Sequence, residues 1–157
     1  MSETELGRIE QALAENGEVA VCTHGYSMYP MLRHRKDVST IRIVDRPFRV
    51  NDVPVYRTKS GKLIMHRIIA IKNGRYIIRG DNLLVKETNV TDEKIIGRLV
   101  AFYRDGKYYD CEKSKAYKFY VRSLKYTYPF RFVWKKLFSK YFRWILAKVR
   151  KHKEKKK

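Results

Sequence analysis

Residues 63–79 read LIMHRIIAIKNGRYIIR, and this stretch decides the fold. Two runs rich in β-branched residues, Leu63–Lys72 and Arg75–Arg79, flank Asn73-Gly74. Both central residues tolerate the positive φ that a tight two-residue hairpin turn demands. Working outward, further short β-prone runs are Glu18–Thr23, Val38–Val44, Val53–Arg57 and Ile95–Arg104. Asp105-Gly106 predicts a second hairpin into Lys107–Asp110. No βαβ alternation and no internal repeat interrupts the series, so the middle of the chain predicts an all-β body of antiparallel strands. Ahead of it, residues 4–16 place Leu6, Ile9 and Leu13 on one helical face, with Ser2 or Thr4 as cap and Gly17 as terminator. The predicted organisation is an N-terminal helix over 1–17, a β domain over 18–111 and a tail over 112–157.

The chain has 157 residues, of which 44% are hydrophobic, enough for one domain with a real core. Two cysteines exclude a disulfide scaffold and a cysteine-based zinc module, so Cys22 and Cys111 are expected as reduced thiols. No metal and no cofactor is expected. No run of 18 or more apolar residues lacks charges, which excludes an ordinary transmembrane helix. The first 25 residues are acidic and lack an apolar core, unlike a secretory signal. The expectation is a protein kept on the cytoplasmic side.

Residues 25–30 read Gly-Tyr-Ser-Met-Tyr-Pro. A serine between a permissive glycine and a proline sits where the backbone must turn, which can expose Ser27 and free nearby N–H groups for an oxyanion. It can equally be a turn serine capping its own backbone. A nucleophile needs a base, and the chain has four histidines: His24, His34, His66 and His152. His24 and His34 flank the serine in loops and His152 lies in the lysine-rich tail. His66 lies within a strand that alternation would half bury, as either a structural or a catalytic residue. Gly80-Asp81-Asn82 then supplies a carboxylate that could orient an imidazole, or an ordinary Asx turn.

Taken in order, Gly25–Pro30, Met65-His66-Arg67 and Gly80-Asp81-Asn82 resemble the boxes of the signal peptidase I and LexA-like serine peptidases. Asn51-Asp52-Val53-Pro54-Val55-Tyr56 and Ile95–Val100 are similar to that superfamily's flanking strands, so the resemblance covers roughly residues 19–104. It implies a mainly β fold of coiled antiparallel sheets and a serine endopeptidase acting on a peptide or protein substrate. Ser27 would be the nucleophile and His66 the general base, as in the endoplasmic-reticulum type, where bacterial enzymes usually carry lysine. Asp81 would hold the tautomer of His66 and raise its pKa. Gly25, Met28 and Pro30 would line the substrate's path, with the Ser27 N–H as oxyanion donor. Some relatives carry a hydroxyl where Gly25 stands, which leaves fewer donors here. No N-terminal span and no DNA-binding domain precede the serine loop, so the expectation is a small stand-alone peptidase. The alternative is a catalytically degenerate basic protein on the same fold that binds a membrane or a nucleic acid.

The tail has separate physics. Residues 112–157 hold 17 Lys+Arg and 2 Asp+Glu, against 19 and 14 in residues 1–111. On a helix over 129–150, Phe130, Trp134, Leu137, Phe138, Tyr141 and Ile145 share one face, with Lys135, Lys136, Ser139 and Arg143 opposite. Such a helix either packs on the β body or lies in a membrane interface. No nucleic-acid partner is expected, because the aromatics follow helical spacing instead of forming spread stacking platforms. The expected partner is an anionic membrane surface at the inner face of the cell membrane, met through residues 129–157.

Overall fold

The structure, a computed structural model, describes the backbone of residues 3–154 and the side chains of residues 7–134 and 137. It is mainly β, with one helix at each end and a curled antiparallel half-barrel sheet between them. The chain runs α1 (Glu3–Asn16), β1 (Glu18–Cys22), β2 (Val38–Arg42), β3 (Pro54–Arg57), β4 (Leu63–Met65), β5 (Arg67–Lys72), β6 (Arg75–Arg79), β7 (Glu87–Val90), β8 (Ile95–Arg104), β9 (Lys107–Asp110) and α2 (Lys115–Glu154).

The larger sheet has the order β1-β2-β8-β3-β4, with β9 also on β8, and the smaller one the order β5-β6-β7. The ten-residue β8 is the spine: it pairs with β2 along one edge and with β3 and then β9 along the other. Register shifts at Thr40/Ile41 and Val55/Tyr56 accompany the curl, since an extra residue on one strand bends it and increases its twist. Both hairpins form where the sequence places them. Asn73 and Gly74 have φ of 50° and 69°, and Asp105 and Gly106 have 50° and 73°, the positive pair that a type I′ turn requires.

Three elements differ from the sequence reading. The run Leu63–Lys72 is not one strand. It breaks at His66, because β4 pairs with β3 (Val55↔Met65) whereas β5 pairs with β6 (Arg67↔Arg79) in the other sheet. The strand β7 has no counterpart in the reading, since Glu-Thr-Asn-Val offers a single buried apolar residue, Val90. The C-terminal helix begins at Lys115 and passes through Pro129 instead of starting there. Tyr117, Tyr120 and Val121 recur at helical spacing and pack on the core, which settles the first turns before the proline is reached.

Leu13, with Ile9 beside it, seats α1 against Ile41 and Val55. A second cluster, built around Phe48, Tyr56, Ile68 and Ile78, joins the two sheets. A third gathers Met28, Met31 and Leu32 of the serine loop with Leu99, Phe102 and Tyr117. The chain divides into two compact units, residues 1–121 and 122–157. Both α1 and the first turns of α2 therefore belong to the unit that holds the strands.

Candidate functional site

The serine loop, residues 23–37, leaves β1 and returns as β2. Asp37 is fully buried and holds it closed, accepting from the Arg33 N–H at 2.8 Å and from the Arg33 guanidinium at 2.7 Å. Burying a carboxylate is tolerable here because it has a charged partner and a backbone donor. Gly25, at φ 89°, makes the turn, and its N–H donates to His34 Nδ1 at 2.9 Å. Ser27 follows, half-buried. Among the described residues its N–H has no backbone partner, as an oxyanion donor requires.

His66 enters from the opposite side. It is the single residue between β4 and β5, hence at the seam of the two sheets, and it is 5% exposed. Its Nδ1 lies 3.1 Å from Glu87 Oε1 and 3.1 Å from the Tyr56 hydroxyl. That hydroxyl donates its own proton to Glu87 Oε1 at 2.5 Å. Nδ1 thus faces two acceptors and carries the proton, so Nε2 keeps its lone pair. The Nε2 side abuts Gly80. A Cβ on Gly80 would stand 3.1 Å from Nε2 and 2.6 Å from the Ser27 carbonyl oxygen, so residue 80 is glycine for want of space between the two.

Asp81 has another partner than the one expected. Arg67 Nε and Nη2 donate to its two oxygens at 2.8 and 2.7 Å, and the Tyr120 hydroxyl donates to Oδ2 at 3.0 Å. The contact to Nδ1 that the resemblance assigned to Asp81 is made by Glu87 instead. Both oxygens of Asp81 are taken up by Arg67 and Tyr120, whereas His66 Nδ1 meets Glu87 and Tyr56. Asp81 does pull the His66 pKa upward, as expected, but its pull is not the dominant one. Burial pushes the imidazole below its ordinary value of 6.5, and this outweighs the opposing pull of Glu87 and, more weakly, Asp81.

Ser27 and His66 open onto one cleft of about 760 Å³. Its walls are apolar, from Ile9 and Ala12 of α1, Val19 and Val21 of β1, and Leu63 and Met65 of β4. Gly25 and Met28 are among its lining residues; Pro30 is not, and its carbonyl accepts from Arg104 Nη1 at 2.5 Å. His24 lies at the rim with Nδ1 3.1 Å from the Cys22 carbonyl, and the side chain of His152 lies outside the described residues. Among the described residues, no hydrogen bond joins the Ser27 hydroxyl to His66, and no group of three His, Cys, Asp or Glu could hold a metal ion.

Two functional side chains escape sequence reasoning. Glu87 lies 21 residues from His66 in a strand that the pattern does not reveal, and Tyr56 reads as an ordinary core residue of a β run. The tail's aromatic stripe is open: Phe130, Trp134 and Leu137 are 80%, 71% and 61% exposed. The side chains of Phe138, Tyr141 and Ile145, and of Lys135, Lys136, Ser139 and Arg143, lie outside the described residues. Among the described residues, no helix is long and apolar enough to cross a membrane. Compared with known proteins, the chain matches no family model and no curated protein.

Proposed function

We propose that the protein is a serine endopeptidase, similar to the signal peptidase I and LexA-like enzymes, that cleaves an extended peptide segment with a Ser27–His66 dyad. The observation that carries the reading is the convergence of Ser27 and His66 on one apolar cleft, with Gly80 thinned between the Ser27 carbonyl and His66 Nε2. In the proposed reaction Ser27 Oγ attacks the scissile carbonyl while His66 Nε2 takes its proton. The oxyanion forms against the Ser27 N–H. The imidazolium then protonates the leaving amine, and water, deprotonated by the same nitrogen, releases the acyl group from Oγ. Glu87 and Tyr56 hold the ring and stabilise its protonated form.

The substrate class follows from the edges. Among the described residues, β1 pairs only with β2 and β4 only with β3 in the larger sheet, and both outer strands line the cleft. An extended peptide can add its backbone to such an edge and bury alternate apolar side chains in the cleft. The test is a fluorophosphonate probe: labelling is expected on Ser27 and should vanish in Ser27→Ala and His66→Gln. A degenerate binder is the second reading, favoured by the missing Ser27–His66 hydrogen bond; unlabelled wild type would select it.

Three further outcomes are expected. Because burial lowers the His66 pKa, the neutral base persists below pH 6.5, and activity should decline only as pH falls through a value under 6.5. Glu87→Gln removes the largest opposing pull and should move that limb to still lower pH while reducing kcat. A limb that moves upward in Glu87→Gln would rule out this account. Gly80→Ala should reduce Ser27 labelling by about tenfold or more, since a Cβ displaces a backbone carbonyl of the nucleophile's own residue.

The tail gives the enzyme its place of work, an anionic membrane surface. The support is the exposed stripe of Phe130, Trp134 and Leu137 on a segment that carries 17 Lys+Arg. The protein should co-sediment with vesicles containing anionic lipid and ignore neutral ones. Binding should weaken with salt, because screening acts over about 8 Å at physiological ionic strength. Trp134→Ala with Leu137→Ala should remove the salt-resistant remainder. Equal sedimentation with neutral and anionic vesicles would exclude the electrostatic part of the reading.

A further inference from the structure

The helix that carries the tail begins inside the site's own support. Arg67 is 2% exposed, and all five of its N–H groups are engaged. Nε donates to Asp81 Oδ1 at 2.8 Å. Nη1 donates to the Asn51 carbonyl at 2.9 Å and to the Tyr117 hydroxyl at 3.0 Å. Nη2 donates to Asp81 Oδ2 at 2.7 Å and meets Met31 Sδ at 3.0 Å. The guanidinium also lies over the Tyr117 ring, 5.7 Å from its centroid. Tyr120, one helical turn later, donates to Asp81 Oδ2 at 3.0 Å. Two tyrosines of α2 thus complete the coordination of a buried ion pair.

That pair sits next to the nucleophile. Asp81 lies between Gly80, which presses on His66 and Ser27, and Asn82. The Asn82 N–H donates to the Ser27 carbonyl at 2.7 Å, and its side-chain amide donates to the Tyr26 carbonyl at 3.0 Å. The Leu83 N–H closes the turn on Gly80 at 2.9 Å. On the other side Met31 and Met28 of the serine loop share a core cluster with Tyr117.

We propose that the first turns of α2 position the Ser27 turn: Tyr117 and Tyr120 fix the Arg67–Asp81 pair, and the pair fixes the Gly80–Asn82 turn that grips the Ser27 carbonyl. Tyr117 and Tyr120 are positioning residues; neither reaches the cleft. Two features make the link mechanical. Arg67 is bonded to both Asp81 and Tyr117, and Asp81 to both Arg67 and Tyr120, so the pair has no slack of its own. The turn is bonded to the serine's backbone, so a shift of Asp81 becomes a shift of the nucleophile. The catalytic consequence rests on the peptidase reading, whereas the mechanical link does not.

The experiment uses the full-length protein with Tyr117→Phe and Tyr120→Phe, which keep the rings and delete only the hydroxyls. The half-exposed Tyr108→Phe serves as control. Two readouts are taken together: amide hydrogen exchange at Asn82, and the rate constant of fluorophosphonate labelling at Ser27. Exchange at Asn82 should quicken by about tenfold in both variants and not in the control, because local opening follows the loss of a hydrogen bond to a charged group. Amides of Ile41 and Leu99, in the sheet's centre, should keep the wild-type rate. Labelling at Ser27 should slow by about the same factor. Unchanged exchange at Asn82, or a rise shared equally by Ile41 and Leu99, overturns the proposal. A selective response at Asn82 in a protein whose wild type never labels at Ser27 upholds the link and instead defeats the peptidase reading.

Discussion

Replacing Ser27 by alanine should abolish peptide cleavage and leave the fold unchanged. The serine is half-buried on a turn, and its carbonyl, not its hydroxyl, carries the hydrogen bond to Asn82. Alanine keeps that carbonyl and removes the proposed nucleophile. His66→Gln should be nearly as damaging, and the double variant no worse than the more severe single, because the two residues act as one unit. A loss of about 10³-fold or more in kcat/KM is expected of each, with thermal midpoints near the wild type for Ser27→Ala. Full cleavage by Ser27→Ala on a peptide that the wild type cuts would remove this residue from the mechanism.

Asp81→Asn should be the most damaging single change to stability. It leaves the Arg67 charge without its counter-ion at a site where the side chains of Arg67 and Asp81 are 3% and 2% exposed. Breaking such a pair from one side destabilises by about 3–5 kcal/mol, a large part of the roughly 5–15 kcal/mol that holds a domain folded. The surface pair Arg42–Glu18 is a contrast, with side chains 53% and 48% exposed, and Arg42→Ala should change stability by less than about 1 kcal/mol. Urea unfolding compares them directly. Arg67→Met combined with Asp81→Leu should recover much of the loss, because no lone charge is then buried. An Asp81→Asn midpoint equal to wild type would mean that water reaches the pair.

What the sequence could reveal depended on how local the signal was. The Asn73-Gly74 and Asp105-Gly106 turns are written in adjacent residues, and both appear where expected. The break at His66 is not written locally: Leu63–Lys72 reads as one β-prone run, and the choice of partner strands divides it. Glu87 illustrates a different blindness. Strand β7 has a plain polar pattern, and its register beside β6 (Ile78↔Glu87) is set by tertiary pairing. Asp81 shows that adjacency in a motif leaves the partner open: its oxygens bond to Arg67, the residue after His66, and to Tyr120. The start of α2 was legible in principle. Tyr117, Tyr120 and Val121 follow helical spacing, but the proline at 129 draws attention to itself as a start signal.

The place of His66 between two sheets has a consequence for when the protein can act. One sheet brings the serine turn and Tyr56; the other brings Glu87, without which the imidazole has no fixed tautomer. A chain that has folded only one of them, whether emerging from synthesis or opened by a thermal fluctuation, carries a serine with no oriented base. The proposed reactivity would therefore be a property of the completed native state and of none of its parts. On the proposed peptidase reading, a hydrolase wired in this way would be harmless to its neighbours until both sheets are in place, and would fall silent again as soon as one of them opens.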